Sequence, residues 1–238
     1  MRIQKLLKPM VLLICVGVML YAFLTMGNGR GPLDYWEHLD DTVFTIDDEE
    51  VSFEDLAFYI LFEERKVEEQ ARIYNKDYTK DYWNIHTDDK FIQTEAKDAV
   101  LNMAVHDHLF YQMAVDEGMD KLNGVEQIEL EGSVSDFWED MLDVQWEHLP
   151  CDEETINEQL RIAAVAEKYG DYLAKENNTS KAAYRYDGYY YSQILENHKL
   201  KVNNKLWKKL VLGDITLTHS KINYINGLTN EDKKKSKK

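Results

Sequence analysis

Hydrophobic residues follow three different patterns along this chain. Residues 9–26 are apolar without a break and carry no charge. Eighteen helical residues rise about 27 Å, close to the ~30 Å hydrocarbon core of a bilayer. The run therefore predicts one transmembrane helix acting as a signal anchor. The second pattern is short. Residues 42–46 form a β-type run, Asp47-Asp48 offers a turn and residues 49–51 return, which predicts a β-hairpin. Beyond it, apolar residues recur at helical spacing. Ser52 and Asp55 form a capping-box pattern, and Phe53, Leu56, Ala57, Ile60, Val67, Ala71 and Tyr74 line a first helix to about residue 75.

Three more helices follow by the same reasoning. An aromatic connector over residues 76–89 leads to a helix over 91–117, with Gly118 as its C-terminal cap. Asn123 and Glu126 open a helix to about residue 144. After Leu149-Pro150, Asp152-Glu153-Glu154 places acids at the positive end of a helix that runs to 176. Ser180 is expected to cap a fifth helix carrying Tyr184, Tyr186, Tyr189, Tyr190 and Tyr191, which read either as core or as a contact surface. The expected fold class is mainly α with one short hairpin. Glu63, Glu64, Arg65, Lys66, Glu68 and Glu69 read as a solvated face of the first helix.

Charge orients this arrangement. Arg2, Lys5 and Lys8 precede the apolar run, so residues 1–8 read as a cytoplasmic basic head and the chain after residue 26 as extracytoplasmic. Residues 27–41 read as a tether, 42–217 as the helical domain and 218–238 as a disordered basic tail. The exit from the apolar run, Ala22-Phe-Leu-Thr-Met-Gly-Asn-Gly, has no small-x-small pair, and Cys15 lacks the small residues of a lipidation site. An uncleaved anchor in the cell membrane is expected. The net charge is −16, and the three cations of the head leave −19 for the remainder. Such a domain repels phosphate backbones, which excludes nucleic acid as a natural partner. Cys15 and Cys151 lie on opposite sides of the expected membrane boundary and do not pair.

No catalytic constellation is legible. The chain has no glycine-rich phosphate loop, no Gly-x-Ser-x-Gly elbow and no His-Glu-x-x-His pair. Acids beside Cys151 favour an inert thiol. His106 and His108, two apart on a helix, diverge too far to share a metal ion, and residues 47–50 lack the spacing of a calcium loop. Neither a cofactor nor a metal is expected.

The order of elements carries more than any single motif. A membrane-targeting segment leads into Val43-Phe-Thr-Ile-Asp-Asp-Glu-Glu-Val-Ser-Phe-Glu-Asp-Leu, then a long helix and a connector with Tyr82-Trp83. Next come the helix Ala96 to Gly118 and Ile162-Ala-Ala-Val-Ala-Glu-Lys-Tyr. This order resembles the N-terminal chaperone module of SurA-type and PrsA-type extracytoplasmic foldases, with Asp-Asp where the family's hairpin turn has Asn-Gly. The likeness covers about residues 42–217. The family's parvulin strings, His-Ile-Leu and Gly-Gly-Asp-Leu-Gly, are absent. The resemblance implies a membrane-anchored chaperone without prolyl isomerase activity, binding unfolded or secreted polypeptides through exposed aromatics. Tyr78, Trp83, Tyr186 and Tyr190 are the candidate client contacts. The alternative is an envelope structural or assembly protein that uses the same fold for one dedicated partner. The segment 184–212 is further expected to return and pack on the first helix, because Trp207, Leu210 and Leu212 need cover.

Overall fold

The computed structural model describes residues 32–87 and 89–219. The expected transmembrane helix over 9–26, the basic head and most of the basic tail lie outside the described residues. Among the described residues no helix is long and apolar enough to cross a membrane. The expected fold class is corrected accordingly: the described residues form a mainly helical domain with a small three-stranded sheet and contain no membrane-spanning helix.

The hairpin forms where alternation placed it. Strand β1 (Thr42–Ile46) pairs antiparallel with β2 (Glu49–Ser52), and Asp47 at the turn takes φ +51°, a left-handed conformation that Asp tolerates. A third strand not expected from the sequence, β3 (Leu200–Val202), pairs with the other edge of β1. Asp47 fixes that return. Its carboxylate accepts from His198 Nδ1 at 2.6 Å and from the Lys199 amide at 2.8 Å, and these bonds hold its pKa below the usual range. Residues 33–41 are not a free tether. The Leu33 amide donates to the Lys209 carbonyl at 2.8 Å, and buried Tyr35 donates its hydroxyl to the Phe53 carbonyl.

Helix α1 (Ala57–Tyr74) follows a turn in which the Ser52 amide and hydroxyl donate to Asp55 at 2.8 and 2.7 Å. A short helix α2 (Lys80–Trp83) occupies the connector. Helix α3 (Ile92–Asp116) ends as the glycine signal predicts. Gly118 takes φ +70° and the Met119 amide reaches back to the Ala114 carbonyl at 2.7 Å. Helix α4 (Gly124–Glu139) opens with the Asn123–Glu126 capping box. It stops short of residue 144 because Leu142 turns extended and starts a separate helix, α5 (Asp143–Trp146). The break lets buried Gln145 donate to the Leu61 carbonyl and to Thr216 Oγ1, both at 3.0 Å. Helix α6 (Glu153–Glu176) is capped by Asp152 and ends on Asn178 at φ +48°.

The expected fifth helix is not continuous. Ser180 caps a single 3-10 turn over Lys181–Tyr184, Arg185 is extended, and only α7 (Tyr189–Leu195) resumes the helix. Gly188 sits at the joint, where an added Cβ would lie 2.4 Å from the Ala183 carbonyl oxygen. Tyr184 and Tyr191 are buried, with the Tyr191 ring 5.7 Å from Phe110. A last short helix, α8 (Asn204–Trp207), completes the order.

The main core lies between α1, α3 and α6 under the sheet, with Phe44, Ile46, Ile60, Leu109, Phe110 and Tyr169 at its centre. A smaller cluster joins Ala57 and Leu61 of α1 to Leu130 and Phe137 of α4 and Ile156 and Leu160 of α6. The late segment returns and Trp207, Leu210 and Leu212 are buried, but Gln93 and Lys97 of α3, not α1, donate to the carbonyls of Leu212, Trp207 and Leu210. The strap just beyond it, 213–216, is what reaches α1. Its lock is an acid. Glu64 of α1, read from the sequence as solvated, is wholly buried. Its carboxylate accepts from the amides of Gly213 (2.6 Å), Ile215 (3.2 Å) and Thr216 (2.8 Å) and from Thr216 Oγ1 (2.5 Å). Glu63 and Glu68 are buried as well, so the solvated-face reading is corrected for these three acids. A buried charge survives only where donors replace its lost water, and the strap 213–216 supplies them.

Candidate functional site

Helix α4 stands out from the main core as an arm along α6, antiparallel to it and pinned at both ends. At one end Lys168 pairs with Glu126 at 3.0 Å and donates to the Lys121 carbonyl at 2.6 Å. At the other, Trp138 Nε1 donates to Asn157 Oδ1 at 2.8 Å, and Arg65 Nη1 donates to the Phe137 carbonyl at 3.3 Å. Between the pins only Leu130 and Phe137 of the arm are buried. A groove therefore opens on each side.

The two grooves differ in charge. The one beside Met119, Ser133 and Tyr172, about 600 Å³, mixes Lys168, Lys175 and Lys181 with Glu126, Glu129, Glu167 and Asp171. The other, about 840 Å³, has Leu130 and Val134 on its floor and Glu54, Asp55, Glu131, Glu154 and Glu158 around it, with Arg161 as the one cation lining it among the described residues. Arg161 is already engaged. It forms a bidentate pair with Glu158 at 2.8 and 2.6 Å and donates to Tyr111 Oη at 2.7 Å. No described cation pairs with Glu54, Glu131 or Glu154. The groove thus offers apolar surface inside an uncompensated acidic rim.

One wall is held rigidly from beneath. Asp55 accepts from the Ser52 amide and hydroxyl and from Gln159 Nε2 at 3.2 Å. Gln159 Oε1 lies 3.2 Å from His108 Nε2, and His108 Nδ1 lies 2.9 Å from Glu49 Oε1. This chain links the groove wall to β2 through α6 and α3. His106 faces elsewhere, with Nε2 2.9 Å from the Tyr184 carbonyl. The two histidines serve different partners, and among the described residues no cluster of three metal-ligating side chains forms. Cys151 is half-buried, and burial together with Glu54, Asp152 and Asp55 pushes its thiol up to about 12, so it stays protonated and unreactive at neutral pH.

The four aromatic residues singled out by sequence are not brought together. Tyr78 is 69% exposed at the far end of α1, and Tyr190 is 39% exposed and stacked on buried Tyr184 at 5.5 Å. Tyr186 is half-buried against the main core. Trp83 is excluded as a contact because it is 2% exposed and donates its Nε1 proton to Glu68 at 2.9 Å. Its burial follows from Gly213, whose φ of +92° brings the strap against the indole, leaving only 2.6 Å for an added Cβ. Exposed apolar groups on the arm itself were missed. Val125 and Ile128 lie on its outer face, and Trp138 contacts the part-exposed Trp146 at 4.9 Å at its end. Spacing held the signal: 125 and 128 are one turn apart and lie off the stripe of Leu130, Val134 and Phe137. Comparison with protein-family models, with curated proteins and with solved structures finds no match to this chain.

Proposed function

We propose that this domain is an extracytoplasmic chaperone of the holdase kind, one that holds unfolded or newly exported polypeptide segments and makes or breaks no bond in them. The observation that carries the reading is the arm α4, which leaves an apolar-floored groove with an acidic rim instead of packing flush on α6. Apolar surface set among charge accepts many sequences while keeping the binder soluble. The uncompensated carboxylates select for segments that also carry lysine or arginine. The likeness to the SurA-type chaperone module and the missing parvulin strings point the same way. The extracytoplasmic address rests on the apolar run over 9–26 and the cations before it as features of the sequence.

The test is binding of labelled unstructured peptides of matched length, one basic and apolar, one neutral and one acidic, to the full chain by fluorescence anisotropy. The basic peptide is expected to bind most tightly and the acidic one least. Glu131→Lys with Glu154→Lys should weaken the basic peptide by roughly tenfold or more while leaving the melting temperature nearly unchanged, since both side chains are exposed. Equal binding of all three peptides, or binding insensitive to the double substitution, would overturn the reading.

A further inference from the structure

The acidic groove has a complementary segment on its own chain. Residues 233–238 read Lys-Lys-Lys-Ser-Lys-Lys, five cations in six positions of a protein whose net charge is −16. We propose that this basic run occupies the groove between α4 and α6 when no client is bound, so that a client enters by displacing it. The proposal rests on the groove being a polypeptide site, and it adds an intramolecular competitor.

Three observations support it. The first is charge. Arg161 is spent on Glu158, leaving Glu54, Asp55, Glu131 and Glu154 facing the opening without a described cation partner. Lysines fit this rim with long apolar stems that lie along Leu130 and Val134 while the ammonium groups meet the carboxylates. The second is reach. His219, the last described residue, is placed by α1: its Nδ1 lies 3.7 Å from Glu68 Oε1. Asp55, at the groove, is thirteen positions earlier, about 20 Å along a helix. Thirteen residues separate His219 from Lys233, and a random-coil chain of that length has a root-mean-square span of about 20 Å. The spans match, the condition under which the effective concentration of a tethered segment is highest, in the millimolar range. The third is contrast. The second groove beside the arm sets Lys168, Lys175 and Lys181 against four acids, with Lys168 paired to Glu126 and Lys181 to Asp171, so it attracts a lysine run less than the first. A second copy of this acidic chain gains the same contacts but only at the bulk concentration, far below the tethered one.

A millimolar effective concentration against a site of ~0.1 mM intrinsic affinity fills the groove and weakens an external basic peptide by about tenfold. Two measurements test this. Carbodiimide joins a lysine Nζ to a touching carboxylate with loss of water. On the full-length chain, mass spectrometry is expected to find residues 233–238 coupled to Glu131, Glu154 or Glu54, at low salt and not at high salt. Coupling to carboxylates elsewhere, or none, overturns the proposal. So does coupling between isotopically heavy and light copies in a mixture, which assigns the groove to a second molecule. The second measurement changes Lys233, Lys234, Lys235, Lys237 and Lys238 together to Gln. This variant should bind the labelled basic peptide about tenfold more tightly than the unaltered chain. Equal affinity overturns the proposal but leaves the groove reading intact. A peptide that binds neither protein refutes the groove reading instead, and the coupling result then still decides where the lysines lie.

Discussion

Glu64 shows how one side chain can close a domain. Four donors from the strap 213–216 converge on its two oxygens in a fully buried site. Burial pushes its carboxyl above the usual range, and the four hydrogen bonds pull in the other direction. Glu64→Ala strands those donors in the interior and is expected to cost about 3–5 kcal/mol, whereas Glu64→Gln, which keeps one acceptor, should cost less. Urea midpoints would check the order, and an alanine variant as stable as the glutamine one would contradict it. Glu68 and His219 form a second contact at 3.7 Å. Burial opposes charge on both, but the mutual interaction outweighs it, so Glu68 lies below its usual range and His219 above. The Glu68 contribution is present above its unfolded pKa and lost as pH falls through the lowered folded value. The His219 contribution is full below about 6.5 and lost as pH rises through the raised one. The contact is therefore strongest between about pH 5 and 6.5. The unaltered chain should lose stability relative to His219→Gln as pH rises from 6 to 9; parallel curves would refute the pairing. Glu64 titrates in both proteins and cancels in that difference. These acids were legible only in hindsight. The stripe Leu56, Ile60, Val67, Ala71 leaves a gap one turn after Ile60, and position 64 fills it with a carboxylate. Hydrophobic periodicity treats an acid as outward-facing by rule, and the donors that reverse it lie some 150 residues away in sequence.

At the scale of elements, local chemistry marked starts and stops well. The box at Asn123, the cap at Asp152 and the glycine at 118 do what their residue types predict, whereas the Ser52–Asp55 box closes only a turn and α1 starts later, at Ala57, with no side-chain cap. Long-range pairing went unread. Strand β3 is only three residues long, too short for its Leu-Lys-Val alternation to announce it, and it exists because Asp47 and β1 offer an edge. The α4–α5 break and the split of the tyrosine-rich segment have the same origin, since Gln145 and Tyr184 satisfy partners remote in sequence. The groove was illegible for that reason: its acids come from the turn before α1, from α4 and from α6, and only packing sets them together. Two glycines separate local from tertiary strain. At Gly118 an added Cβ meets nothing within 4 Å, so Gly118→Ala should cost about 1 kcal/mol, for the left-handed backbone alone. Gly213→Ala adds a collision with the Trp83 ring and should cost about 2–4 kcal/mol. Thermal unfolding of the two variants measures the difference, and equal losses would mean that the strap yields freely.

The whole molecule is a closed helical core, tied by β3 and the 213–216 strap, from which one arm stands apart. Closure places the rigid elements, and the arm leaves a surface for a partner. With a net charge of −16, basic segments are drawn to that surface, and exposed charge pairs weaken as salt rises. Affinity for a basic unfolded segment should therefore fall steadily between 50 and 500 mM salt, about three- to tenfold in all. A proline-limited refolding phase of a client should keep its rate, because the proposed action is holding. The central claim is that the groove between α4 and α6 holds unfolded chain, and site-specific photocrosslinking tests it most directly. A photoreactive residue replacing Val134, on the groove floor, should capture a chemically unfolded basic protein, while one replacing exposed Glu196 after α7 should not. No capture at Val134, or equal capture at both positions, would contradict the account.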